Sequence, residues 1–134
     1  MTVARVLALV VGLVYLLLGV LGFTIAEHPG QVGPDGVNMV WIFSVSAVQN
    51  VVHIAIGLLG LAAAAKPAGA KIYGLVLFVA LTGMTVFGVL ASSADTPGDV
   101  LNVNAAGNWL HGLTALAGLA MWFLSSRTRV TERA

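Results

Sequence analysis

The chain has 134 residues, of which 59% are hydrophobic and 8% charged, with a formal net charge of +1 and a mean hydropathy of +1.00. Soluble domains carry roughly 25% charged residues, so this composition excludes an ordinary soluble domain and reads as an integral membrane protein. The absence of cysteine excludes disulfides, thiolate metal sites and thiol redox chemistry, and no basic stretch is dense enough for a nucleic-acid partner.

Taken in chain order, four apolar segments approach the ~20 residues that a helix needs to cross the hydrocarbon core. The first covers residues 6–25. Arg5 before it and Thr24-Ile25-Ala26 after it have the outline of a secretory signal, but the run exceeds the roughly 7–15 residues of a signal core. Its Gly12-Leu13-Val14 also returns later as Gly74-Leu75-Val76, so we read the segment as a retained span. Glu27 to Gly36 is a loop by its glycine and proline density. The second span is expected over 39–65, a tight turn at Lys66-Pro67-Ala68-Gly69, and the third span over 72–91. Asp95-Thr96-Pro97-Gly98-Asp99 is a second loop, and the fourth span covers 106–124.

Charge placement assigns the orientation. Arg5, Lys66, Lys71, Arg127, Arg129 and Arg133 all fall on one side of a four-span topology, and Glu27, Asp35, Asp95 and Asp99 on the other, with Glu132 the exception. Basic residues stay with the cytoplasm, which puts both termini there. Arg127 to Arg133 reads as a topology anchor with weak attraction to anionic lipid. Trp41, Trp109 and Trp122 lie toward span ends, where aromatic belts form. Tyr15 and Tyr73 are candidates for either belt or core.

The second half of the chain repeats the first. Asn50, His53, Gly60, Leu61 and Ala62 match Asn108, His111, Gly118, Leu119 and Ala120 at a constant offset, and Asp35 with Asn38 is echoed by Asp99 with Asn102. Each half is a hairpin of two spans, so the halves share one orientation about an axis along the bilayer normal. The expected fold is therefore an all-α, four-helix transmembrane bundle, a single domain over 1–134.

On a helix, Asn50, His53, Gly57 and Gly60 form a polar-then-small stripe, and Asn108, His111, Ala115 and Gly118 form its equivalent. Small residues allow close approach of helix backbones, so both stripes face protein. Three readings of the Asn/His pairs stay open. In the first they are interhelical glue, each imidazole accepting a bond from a facing amide or hydroxyl, worth about 0.6 kcal/mol on average. In the second, His53 and His111 are axial ligands of haem b or another small cofactor, with Asn50 and Asn108 orienting the imidazoles. Propionates would then lack cationic partners, since Lys66 and Arg127 lie about 20 Å or more along their helices. The third is a transport or proton-handling role for a group titrating near neutral pH. A zinc or copper site lacks its third and fourth ligands, and no serine has an adjacent base for nucleophilic catalysis.

With Asn50-Val51-Val52-His53 through Leu61 and Asn108-Trp109-Leu110-His111 in view, the chain resembles an uncharacterised family of short bacterial four-span membrane proteins, domain of unknown function 4383, common in actinobacteria. That family often has an acidic residue just before the second Asn, where this chain has Gly107, which removes a carboxylate partner for His111. The resemblance implies a four-helix membrane fold in the plasma membrane and no particular activity. The preferred function is a non-catalytic accessory or scaffolding subunit, with the lipid bilayer and a homo-oligomer or larger membrane complex as partners.

Overall fold

Leucine and alanine favour helix, and a long apolar run without proline or turn residues lets it continue through valine and isoleucine; the computed structural model of the chain contains four such helices among the described residues. It describes residues 1–93 and 99–131, with side chains at 1–91 and 99–125. Helix α1 is Val3–Thr24, α2 is Ala47–Ala63, α3 is Pro67–Ser93 and α4 is Ala105–Thr131. Val3–Thr24 and Pro67–Ala91 are long and apolar enough to cross a membrane, and Ala47–Ala63 is apolar but shorter. The expected loop residue Asp95 and the tail residues Glu132 and Arg133 lie outside the described residues, as do the Arg127 and Arg129 side chains.

Two boundaries differ from the expected spans. Residues 39–46 are not helical: strands β1 (Met39–Val40) and β2 (Phe43–Ser44) pair antiparallel, leaving Trp41 and Ile42 as a two-residue tip with Trp41 in the left-handed region at φ 54. The run is apolar but rich in β-branched and aromatic residues, and Ser46 then starts α2 by accepting a bond from the Gln49 N–H at 3.2 Å, the usual work of an N-cap serine. At the other end of α2, the expected turn Pro67-Ala68-Gly69 is already the first turn of α3. Proline there gives up an N–H that has no intrahelical partner anyway.

Helix α1 packs chiefly against α2, and α3 against α4. Glycines set both contacts. A Cβ on Gly60 would lie 2.7 Å from Gly12 Cα and 2.9 Å from the Ala8 carbonyl oxygen, and one on Gly118 would lie 2.5 Å from the Gly74 carbonyl oxygen and 2.9 Å from Phe78 N. Gly22 rests on the Asn50 amide and Gly88 on that of Asn108. By these contacts Ala8 corresponds to Gly74, and Gly12 to Phe78. The match of Gly12-Leu13-Val14 to Gly74-Leu75-Val76 is thus about one helical turn out of step with the packing.

Gly60→Ala is expected to cost about 1–3 kcal/mol, because its neighbours are backbone atoms that cannot yield. Gly83 has nothing within 4 Å of an added Cβ, so Gly83→Ala should be neutral or stabilising by up to about 1 kcal/mol through helix propensity. Unfolding titrations of the two variants in detergent check the pair.

The helix ends differ in charge. Arg5 donates from Nε to the Ala64 carbonyl at 2.7 Å, tying the start of α1 to the end of α2. Lys71 Nζ lies 4.2 Å from the centre of the Trp122 ring at the same end. The opposite end is closed by two like turns. Asp35 accepts through its side chain from Val37 N at 3.1 Å and through its carbonyl from Asn38 N at 3.2 Å; Asp99 does the same with Leu101 N at 3.1 Å and Asn102 N at 3.2 Å. Between Asn38 and Val45 the chain detours through the β1–β2 ribbon, whereas Asn102 leads directly into Val103.

The two turns interlock through Asn102. Its Oδ1 accepts from Asp35 N at 2.9 Å, and its Nδ2 donates to the Asp35 and Val45 carbonyls, each at 2.9 Å. Asn38 sits beside it, donating to the Val45 carbonyl at 3.0 Å and accepting from His28 N at 2.9 Å. Gln49 completes the cap, its amide nitrogen donating to the Leu101 and Ser44 carbonyls at 2.9 and 3.0 Å in the orientation that pairs both of its atoms. Asn104 accepts from Gly107 N at 3.0 Å as the N-cap of α4 and donates to the Ile42 carbonyl at 2.9 Å.

Candidate functional site

Directly beneath this cap, the fourth residue of each second hairpin helix is asparagine and the seventh is histidine, so α2 and α4 present Asn50, His53, Asn108 and His111 at equivalent depths. All four are buried, with His53 and His111 each 2% exposed and Asn50 fully enclosed. The imidazoles meet across the bundle, with ring centroids 5.9 Å apart at an interplanar angle of 67°. The sequence stripes thus converge on one place.

Tyr15 of α1 is the member that the sequence left ambiguous. It is 1% exposed, stands edge-on to His53 at 5.1 Å and stacks on His111 at 6.5 Å. Its hydroxyl donates to Thr114 Oγ1 at 3.2 Å, and Thr114 in turn donates to the Leu110 carbonyl at 2.8 Å. A signal was available: Ala8, Gly12, Tyr15, Gly19 and Gly22 follow a four-three-four-three spacing, which puts Tyr15 on the glycine face of α1. Tyr73 is also core, donating to the Ile56 carbonyl at 2.9 Å.

The hydrogen bonding inside this cluster is incomplete. Both amide atoms of Asn50, both ring nitrogens of His53, Nδ1 of His111 and Oδ1 of Asn108 are buried without a hydrogen-bond partner. The amide-to-imidazole bonds of the glue reading are therefore not made. A buried polar atom left unpaired costs about 1–3 kcal/mol, and the concentration of such atoms on four residues of one motif makes them the candidate site.

The donor set also bears on cofactors. The two imidazoles lie close enough to share a small guest, but no group of three or more His, Cys, Asp or Glu side chains able to hold a metal ion occurs among the described residues. A macrocycle laid between the two imidazoles would have to displace the Tyr15 ring, which contacts both of them, and Gly57 and Gly60 are packed against Leu16 and Gly12.

A family model described as a domain of unknown function, DUF4383, matches residues 5–124. The chain belongs to this family. No curated protein and no solved structure matches it. In this DUF4383 chain every member of the Tyr15, Asn50, His53, Asn108, His111 and Thr114 cluster lies inside the matched span.

Outside the helices, the His28 imidazole bonded to Asp35 at 2.7 Å holds the Asp35 carboxyl below its ordinary value of 3.8, with help from the Val37 N–H. A carboxyl with a depressed folded pKa contributes stability above its unfolded pKa and loses it as the pH falls through the folded value. Acidification below about pH 4 is thus expected to loosen the 28–38 loop before the helices unfold. Amide exchange at Val37 and His28 measured against pH checks this, and His28→Ala should weaken the pH dependence of that step, leaving the part due to the Val37 N–H.

Proposed function

We propose that this DUF4383 chain is a non-catalytic integral protein of the bacterial plasma membrane that crosses the bilayer four times, with both termini cytoplasmic. It acts as an accessory or scaffolding subunit, in a homo-oligomer or a larger membrane complex, around its Asn/His core. The observation that carries this reading is the separation of charge across an apolar waist. Arg5, Lys66 and Lys71 stand at one end, and Glu27, Asp35 and Asp99 at the other. Between them the outward residues of the helices are apolar apart from Thr82, and include Val10, Leu13, Leu59, Val79, Leu90, Leu113 and Leu116, each 50% exposed or more. In water such a surface would drive association; in lipid it is the solvated face. Trp41 and Trp109 near the acidic end and Trp122 near the basic end fit the two aromatic belts.

The paired glycine contacts, the like Asp-x-x-Asn turns and the equal register of Asn and His in α2 and α4 support an origin from two copies of one hairpin joined near Lys66. A second reading, in which the core itself handles a proton or a small polar guest, is favoured by the unpaired nitrogens of His53 and His111.

Single-cysteine reporters test the topology without background, since the chain has none of its own. Val37→Cys should react with an impermeant maleimide on intact cells, and Ala65→Cys only after permeabilisation. The reverse pattern overturns the orientation, and recovery of the chain in the soluble fraction overturns the membrane assignment. Repeated isolation as a lone monomer in mild detergent counts against the accessory role.

A further inference from the structure

On the outer flank of α3 and α4 lies a groove of about 620 Å³, whose lining includes Thr85, Asn108, Trp109, Gly112, Leu113 and Leu116. The matching place on the other hairpin is filled. There Ile54, which follows His53 as Gly112 follows His111, packs its side chain onto Gly19, so that a Cβ on Gly19 would lie 2.7 Å from Ile54 Cγ1. A Cβ on Gly112 would meet only Thr85, at 3.7 Å or beyond. The groove lies where one hairpin pairs Ile54 with Gly19 and the other pairs Gly112 with Thr85.

Its chemistry is specific. The walls are apolar, and neither a carboxylate nor a cation is in the lining. Arg5, Lys66 and Lys71 are at the far end of the bundle, so an anionic headgroup or fatty acid would find no counter-charge. One acceptor lies at the floor. The Thr85 hydroxyl, beside Gly112, donates to the Leu81 carbonyl at 2.7 Å and so has only lone pairs left to offer. Asn108 borders the groove, but its Oδ1 is enclosed against Gly88. The complementary group is an uncharged donor on an apolar chain, and the volume falls within the roughly 300–1,000 Å³ of small-ligand sites.

We propose that this groove binds a long-chain lipid alcohol from the membrane phase, its chain lying along Trp109, Leu113 and Leu116 and its hydroxyl donating to Thr85 Oγ1. The proposal rests on the membrane reading above.

The test uses the full chain in phospholipid nanodiscs with a diazirine-bearing long-chain alcohol as probe, and its methyl ether and its carboxylic acid as controls. The alcohol should label α4 around Leu113 and Leu116 at least tenfold more than either control. Gly112→Ile, which sets the closed hairpin's residue against Thr85, and Leu116→Trp, which fills the groove from an exposed rim position, should each reduce that labelling at least tenfold, with thermal unfolding as in the parent for Leu116→Trp. Equal labelling by ether and alcohol, or unchanged labelling in a folded occluding variant, shows lipid coating only and overturns the proposal. So does a groove occupied by a second copy, seen as a parent dimer that Gly112→Ile dissociates. A parent chain that resists carbonate extraction yet is not labelled overturns this proposal alone, whereas a parent chain that is extracted overturns the membrane reading itself.

Discussion

Asn102→Ala is expected to destabilise the fold by about 5 kcal/mol or more, measured by unfolding titration in detergent. The side chain makes three hydrogen bonds at 2.9 Å, each worth about 1 kcal/mol net. The Asp35 and Val45 carbonyls keep a bond from Asn38, but Asp35 N loses its side-chain acceptor, at a further cost of about 1–3 kcal/mol. Asn102 also sits at φ 55, where asparagine is tolerated and a Cβ without a compensating polar group costs roughly 1–2 kcal/mol. Asn102→Gly separates the two contributions, since glycine removes the bonds and leaves the backbone unstrained; it should recover about 1 kcal/mol of the loss. A loss below about 1 kcal/mol in the alanine variant would mean that the acidic-end cap does not hold the two hairpins together.

The second expected result has the opposite sign. A His53→Leu, His111→Leu double variant should unfold later than the parent, by at least about 2 kcal/mol. Three of its buried ring nitrogens carry no partner, and replacing an unpaired buried polar group by an apolar one of similar volume removes a desolvation cost without removing a bond. Asn50→Leu should behave alike, since neither amide atom is bonded, although contact with Gly22 narrows the room for a branched side chain. A natural chain that keeps such groups against its own stability keeps them for use. If the double variant unfolds earlier than the parent instead, the imidazoles are paired in the membrane, and the glue reading regains its ground.

Much of this architecture is legible in the residues themselves. The spacing of Asn50 and His53, with Gly57 and Gly60 below them, assigns an inward stripe because a helix permits only one face at that period, and its copy on α4 assigns the partner. The charged ends follow from where Arg5, Lys66, Lys71 and the acids fall. The β1–β2 ribbon was not legible. Val40, Trp41, Ile42 and Phe43 are as apolar as the helix that follows, and a short apolar run does not declare its backbone; only the cap bonds to Asn38, Asn104 and Ser46 decide it. Tyr15 was half legible, on the correct face of α1 but with no local feature to separate core from belt.

What the sequence determined alone is local and periodic: four helical runs, the ends at which charge collects, and the face of each helix that turns inward, because these depend on residues a few positions apart. The tertiary structure decided whatever depends on distant residues meeting: that His53 and His111 face one another, that Tyr15 lies against both, that α1 and α3 are registered by Gly22 on Asn50 and Gly88 on Asn108, and that Gly112 beside Thr85 leaves a groove where Ile54 on Gly19 does not. Those outcomes are set by how closely backbones approach, a quantity that no single segment carries.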